Sequence, residues 1–191
     1  MSDTFRCFIA IEIPATVRDN LARAQEFCAR SQVHVSWVPA ENLHLTMAFL
    51  GHVFESTLEP LRAGLDPITA GIRPFHMKVM GVGTFGRPGF PRVVWAGVEG
   101  PPPELQRVHV GLKALLEGLE ISQEDRPFAP HITLGRVKGP DKAHALTSAL
   151  ASIKNDAFGD IHVERLLIMR SHLEEPRVRY SVLHVSPLKG T

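Results

Sequence analysis

His44-Leu45-Thr46-Met47 and His131-Ile132-Thr133-Leu134 spell one phrase twice: His, aliphatic, Thr, aliphatic. A very small residue follows each copy, Ala48 in the first and Gly135 in the second, and the copies lie nearly half the chain apart. In an extended strand alternate side chains share a face, so each His stands beside its Thr while the aliphatics turn to a core. Strict alternation puts Ala48 and Gly135 next on the His face, where their size would leave room for a ligand. Two such strands side by side surround one space with two imidazoles and two hydroxyls. That is the equipment for moving protons to and from a phosphate ester.

Outward from the phrases, the chain reads as a mixture of strands and helices without strict alternation. Strands are expected at 5–13, 33–38, 43–50 (closed by Gly51), 75–82, 93–98, 129–137, 162–170 and 177–185, the last two a hairpin around Glu174-Glu175-Pro176. Helices are expected at 15–30, with Val17, Leu21, Ala24 and Cys28 at helical spacing, and within 55–70, ended by Pro67. Two more are expected at 104–119, after the break Gly100-Pro101-Pro102-Pro103, and near 142–153 with Asp141 as N-cap. Gly83 to Gly89 reads as a glycine-rich loop. One phrase per half predicts an α+β fold of two pseudo-symmetric lobes, each a mostly antiparallel sheet with outer helices, facing across a central cleft. Residues 1–191 are expected to form one such bilobal domain.

Composition narrows the function classes. Of 191 residues 44% are hydrophobic and 21% charged, as in an ordinary globular protein, and the net charge is +1. Bulk attraction to a long nucleic-acid duplex is therefore not expected, although a few local cations could hold a small anion. Cys7 and Cys28 form no metal-like or Cys-x-x-Cys pattern, which favours a reducing compartment. No apolar run approaches the roughly 20 residues of a membrane helix, and no secretory leader is evident. A cytoplasmic protein without membrane contact, monomeric by default, is expected.

Histidine exists in both protonation states near neutrality, so a pair can divide the labour of general acid and general base. In-line displacement at phosphorus calls for that division, since the incoming and leaving oxygens lie on opposite sides. Thr46 and Thr133 could donate hydrogen bonds to phosphate oxygens without adding charge. A strand duplicated only for packing would more naturally carry Val or Ile at the inward positions.

With these phrases in place, the chain resembles the 2H phosphoesterases, and within them the bacterial and archaeal RNA 2′,3′-cyclic phosphodiesterases also called 2′-5′ RNA ligases. The resemblance rests on Arg6-Cys7-Phe8-Ile9-Ala10-Ile11, on Trp37 to Gly51, on Pro127 to Arg136 and on Arg170-Ser171-His172-Leu173. It implies a bilobal fold and metal-free, cofactor-free hydrolysis of an RNA terminal 2′,3′-cyclic phosphate to a 2′-phosphate. By that analogy His44 is the proton donor and His131 the proton acceptor, though the sequence leaves the labels exchangeable, and Thr46 and Thr133 hold phosphate oxygens. Arg136 matches the family's arginine after the second phrase, a fixed charge for phosphate. Alternation turns it away from His131, so it reaches the cleft only if the strand twists, bulges or ends there. Phe49 is its counterpart in the first half, an apolar or stacking wall for a nucleotide.

Rival readings remain open from the residues alone. The substrate could be another cyclic-phosphate nucleotide or a 2′-5′ linkage, or the cleft could bind nucleotides or RNA ends with vestigial activity. The other histidines (34, 52, 76, 109, 144, 162, 172 and 184) make no zinc signature and read as surface or structural residues. Arg87 and Arg92 could approach a polynucleotide, although a solvated turn is the plainer reading. Trp37 and Phe85 read as core or cleft wall with some capacity to stack on a base.

Overall fold

The computed structural model describes residues 4–87, 89–123, 127–139, 143–174 and 177–191. Its elements are β1 (Thr4–Glu12), α1 (Ala15–Ala29), β2 (Val35–Trp37), β3 (His44–Phe54), α2 (Leu58–Ala70), β4 (Phe75–Arg87) and β5 (Phe90–Glu99). They continue with α3 (Pro103–Gly118), β6 (His131–Val137), α4 (Ala143–Ser152), β7 (Ala157–Val163), β8 (Arg165–Glu174) and β9 (Arg177–Pro187). Among the described residues these strands form one sheet of nine, ordered β7-β4-β5-β6-β3-β1-β8-β9, with β2 added to β6. Every pairing is antiparallel.

The sheet is bilobal, as expected. One lobe is β3-β1-β8-β9 and the other β6-β5-β4-β7, and they join at a single ladder pair, Leu45 with Ile132. Both are fully buried, and each contributes about 1.5–3 kcal/mol through removal of its apolar surface from water. The seam between the lobes is thus pinned by the aliphatic residue of each repeated phrase.

The lobes are not consecutive halves of the chain. Helix α1 follows β1 yet packs on β7 of the other lobe, where the Asn20 side-chain amide donates to the Phe158 carbonyl at 2.8 Å. Its buried face is Val17, Leu21, Ala24, Gln25 and Cys28. Helices α2 and α3 pack on each other, and α2 also backs β9. There Ser186 donates to Asp66 at 2.5 Å and shares a 2.6 Å hydrogen bond with Thr69. Each helix therefore fastens together segments distant in sequence.

Four sequence expectations are corrected. Gly51 does not end its strand, because its φ of +66° accommodates a local irregularity and β3 continues to Phe54. Pro67 lies inside α2, which runs on to Ala70 with Thr69 anchored by Ser186. The expected loop from Gly83 is mostly strand, with Gly83 to Phe85 paired to Trp95 to Val93. The single strand expected at 162–170 is two: β7 pairs with β4, and after Glu164 β8 pairs with β1 in the opposite lobe. The proposed N-cap Asp141 and the turn at Glu175-Pro176 lie outside the described residues.

Candidate active site

With Leu45 and Ile132 committed to the core, alternation sends His44, Thr46, His131 and Thr133 to the opposite face, where all four are half-buried. The strands run antiparallel through the Leu45–Ile132 pair. His44 is therefore directed toward the Thr133 side, and His131 toward the Thr46 side. A pseudo-twofold axis passes between the two aliphatics. The repeated phrases are brought together as their spelling predicts.

Each imidazole is held by the same local bond. Nδ1 of His44 lies 2.7 Å from the Asn42 carbonyl oxygen, and Nδ1 of His131 lies 2.7 Å from the Ala129 carbonyl oxygen. A carbonyl only accepts, so Nδ1 carries a proton in both rings and the neutral tautomer leaves its lone pair on Nε2. The neutral ring is then a base at Nε2, and the charged ring an acid at the same atom. The surroundings differ. His44 stacks on Phe8 with ring centroids 4.7 Å apart and meets Tyr180 edge-on at 5.3 Å. Burial there lowers the His44 pKa below its ordinary value, against the opposing pull of the Asn42 carbonyl. His131 meets Phe85 edge-on at 4.9 Å.

The backbone irregularity is duplicated with the chemistry. Against β1, Thr46 pairs with Ala10 and Ala48 with Ile9, leaving Met47 as an extra residue. Against β5, Thr133 pairs with Trp95 and Gly135 with Val94, leaving Leu134 extra. These β-bulges sit at the fourth position of both phrases and reverse the alternation beyond it. In the second, the displaced Leu134 carbonyl accepts from the Val38 amide at 2.9 Å and from Gln25 Nε2 at 2.8 Å. No buried acceptor is left bare by that bulge.

The bulges correct one expectation and satisfy another. Ala48 and Gly135 do not line the cleft, since they pair with the fully buried Ile9 and Val94 and face the core. Their small size serves packing. A Cβ on Gly135 would lie 2.6 Å from Val35 Cγ1 and 2.8 Å from the Trp37 ring. The next residues are turned back instead. Arg136 pairs with Val93, two residues from Trp95 on an unbulged stretch of β5, so it shares the face of Thr133 and His131. Phe49 pairs with Phe8, the residue under His44, and is 52% exposed. Arg136 thus meets the condition set for it, a bulge that returns it to the cleft.

Several cleft residues carried no clear signal in the sequence. Phe8 sits in a strand that reads as uniformly buried, and Tyr180 lies on the distant β9. Burial raises the Tyr180 hydroxyl pKa, while Arg136 and then Arg6 pull it down, so both cations bear on the same wall. Trp95 spreads across the sheet where Gly83 offers no side chain; a Cβ there would lie 2.4 Å from its ring. Phe85 leans on Trp95 at 5.4 Å and forms cleft wall, whereas Trp37 packs against the core.

Other candidates are engaged elsewhere. His76 and His162 stack at 4.3 Å, His109 stacks on Phe128 at 4.2 Å, and His184 binds Asp66 at 2.7 Å. Burial pushes the free thiols of Cys7 and Cys28 up to about 11, leaving them protonated near neutrality. Among the described residues no three His, Cys, Asp or Glu side chains converge as a metal site would, and no helix is long and apolar enough to cross a membrane.

Comparison with known proteins meets this geometry. Residues 11–95 and 97–180 each match the LigT-like phosphoesterases, so each match contains one His-x-Thr phrase. The RNA 2′,3′-cyclic phosphodiesterase of Methanothermobacter thermautotrophicus is 31% identical over 94% of this chain and 97% of its own. That of Aeropyrum pernix is 34% identical over 86% of this chain and 92% of its own. A crystal structure from Thermus thermophilus superposes with a TM-score of 0.82 at 33% identity, covering 97% of this chain and 98% of that one. E. coli LigT solved with 3′-AMP gives 0.79 at 26% identity, covering 98% and 99%. Matched through both halves and in both sequence and fold, the chain belongs to the LigT-like family of 2H phosphoesterases.

Proposed function

We propose that this phosphoesterase opens RNA terminal 2′,3′-cyclic phosphates, giving a 2′-phosphate and a free 3′-hydroxyl without a metal ion. The observation that carries the reading is the matched pair of imidazoles, each with Nδ1 tied to a carbonyl and Nε2 available. His131 Nε2 accepts a proton from water as the water oxygen bonds to phosphorus. His44 Nε2–H gives its proton to O3′ as the P–O3′ bond breaks. Thr46, Thr133 and Arg136 hold the non-bridging oxygens, the arginine by paired hydrogen bonds. Exchange with solvent then restores both rings.

Burial disfavours charge on His44. A phosphate anion beside it reverses that preference by favouring the imidazolium. The substrate thus loads its own acid, and the poorly solvated proton is readily surrendered to the leaving oxygen. The curated relatives named for this activity support the substrate class. The 3′-AMP bound to E. coli LigT supports a nucleotide with its phosphate at the ribose edge.

The test is incubation with an oligonucleotide ending in a 2′,3′-cyclic phosphate, with excess chelator present and absent, followed by identification of the product isomer. Exclusive 2′-phosphate at an unchanged rate is expected. A 3′-phosphate would reverse the roles around O3′, and metal-dependent turnover would overturn the two-histidine mechanism.

A further inference from the structure

The cleft face of the first lobe is organised in rows that cross its strands. Nearest the seam, Thr46 stands beside Ala10 and Leu167. The next row outward is Phe49, Phe8, Met169 and Val182, and it is apolar throughout. Phe49 and Val182 are each about half exposed, at 52% and 51%. Beyond it comes His52, Arg6, Ser171 and Tyr180, a row with two basic side chains, two hydroxyls and no carboxylate. Successive rows lie two residues apart along β1, about 7 Å.

Three observations give the outer row a ligand. Arg6 is exposed and makes no ion pair among the described residues, yet its charge, like that of Arg136, bears on the Tyr180 hydroxyl. Tyr180 in turn touches the His44 ring, so the outer row is continuous with the reacting centre. A cavity of about 260 Å³ opens at this corner, lined by Thr4, Arg6, His52 and Ser171 with Phe5, Arg170 and His172, and no acid. The larger cavity, about 460 Å³ beside the start of α1, is different: Glu12, Asp160 and Glu164 share it with Arg18 and Arg165, and Arg165 already pairs with Glu12 at 2.7 Å. Of the two, only the corner by Arg6 presents uncompensated positive charge to an anion.

We propose that Arg6, assisted by His52, binds the phosphodiester on the 5′ side of the terminal nucleotide, so that the site recognises a polynucleotide end in preference to a mononucleotide. The inference rests on the cyclic-phosphate reading above. With O3′ departing toward His44, the ribose and base lie over the first lobe. The apolar row receives the base, and the next phosphate along the chain falls at the cationic row. A free mononucleotide has nothing to place there.

The experiment compares kcat/KM for adenosine 2′,3′-cyclic phosphate with that for an ApA dinucleotide ending in a 2′,3′-cyclic phosphate. The unaltered protein is expected to prefer the dinucleotide, by a margin that shrinks as salt rises. Arg6→Gln should lower the dinucleotide value by about 10- to 100-fold, the worth of one charged hydrogen-bonding partner. The mononucleotide value should stay unchanged, and Arg6→Lys should recover part of the loss. Equal loss on both substrates, or no dinucleotide preference in the unaltered protein, overturns this proposal while leaving the parent reading intact. Inactivity of the unaltered protein on both overturns the parent reading and this one with it.

Discussion

The two His-x-Thr copies agree in ring tether and strand irregularity and differ in the side chains packed around them. Both rings are tied through Nδ1 to the carbonyl two residues earlier, and both strands bulge at the fourth position. Around them, however, His44 lies between Phe8 and Tyr180 while His131 meets Phe85, and Phe49 faces outward where Arg136 does in the other copy. A short motif can therefore recur with its tautomer and direction, whereas the fold decides what surrounds each ring. The repeat supplies two imidazoles with the same tether, and packing gives them unequal surroundings.

The hardest blow to the pair is loss of either ring. His44→Ala and His131→Ala should each lower turnover of a cyclic-phosphate oligonucleotide by about 10²–10⁴-fold, the usual scale of acid or base catalysis. Circular dichroism should show the fold intact, since both rings are only half-buried. Near-normal rates in either variant would remove the shared mechanism. Thr46→Val and Thr133→Val keep shape and delete a hydroxyl, so about 10²-fold each is expected, as for one lost donor to a developing oxyanion. A much larger loss at one threonine would reveal an asymmetry that the geometry does not display.

Asymmetry itself is probed at the residues after the bulges. Arg136→Lys retains charge but loses the planar fork, and about a tenfold fall in kcat/KM is expected. Phe49→Leu retains apolar surface, so its effect should be smaller and confined to KM. If the leucine variant fell further than the lysine variant, stacking would outweigh charge in holding the substrate.

The same comparison shows why the sequence was readable in part. The phrases sit in strands whose faces follow from period-two alternation, and the repeat signals two lobes without showing which segments build each. Alternation fails at Met47 and Leu134 because the bulges depend on long-range partners: the Leu134 carbonyl is satisfied by Val38 and Gln25 from other elements. Hence Ala48 and Gly135 read as cleft and are core, and the approach of Arg136 stayed conditional. Phe8 and Tyr180 carried no local mark at all, since their role arises only when β1 and β9 enter one face. The crossing of α1 to the far lobe is likewise invisible to helical periodicity, which reports a buried stripe without naming what buries it.

A stability test isolates that hidden packing. Strand β2 covers Gly135, and among the described residues no counterpart lies in the sheet beside Ala48. Gly135→Ala should then destabilise the protein by about 1–3 kcal/mol, as overpacking against Val35 and Trp37 does. Ala48→Gly should cost no more than about 1 kcal/mol from backbone entropy. Urea midpoints at constant m-value measure both, and equal costs would mean that β2 yields without resistance.

The smallest effect concerns the protonation of His44 alone. Burial holds the His44 pKa below its unfolded value of about 6.5. Above that value neither folded nor unfolded chain binds a proton at this residue, and its contribution to stability is complete. As pH falls through about 6.5 the unfolded chain takes up the proton first, so stability declines until the lower folded pKa is reached. His44→Gln removes the titration, and its stability should fall less steeply than that of the unaltered protein between pH 7.5 and 5.5. The difference should narrow when inorganic phosphate is added, because an anion in the cleft raises the folded pKa toward the unfolded one. A steeper decline in the variant would mean that the aromatic enclosure of His44 favours its charged form, contrary to the effect of burial.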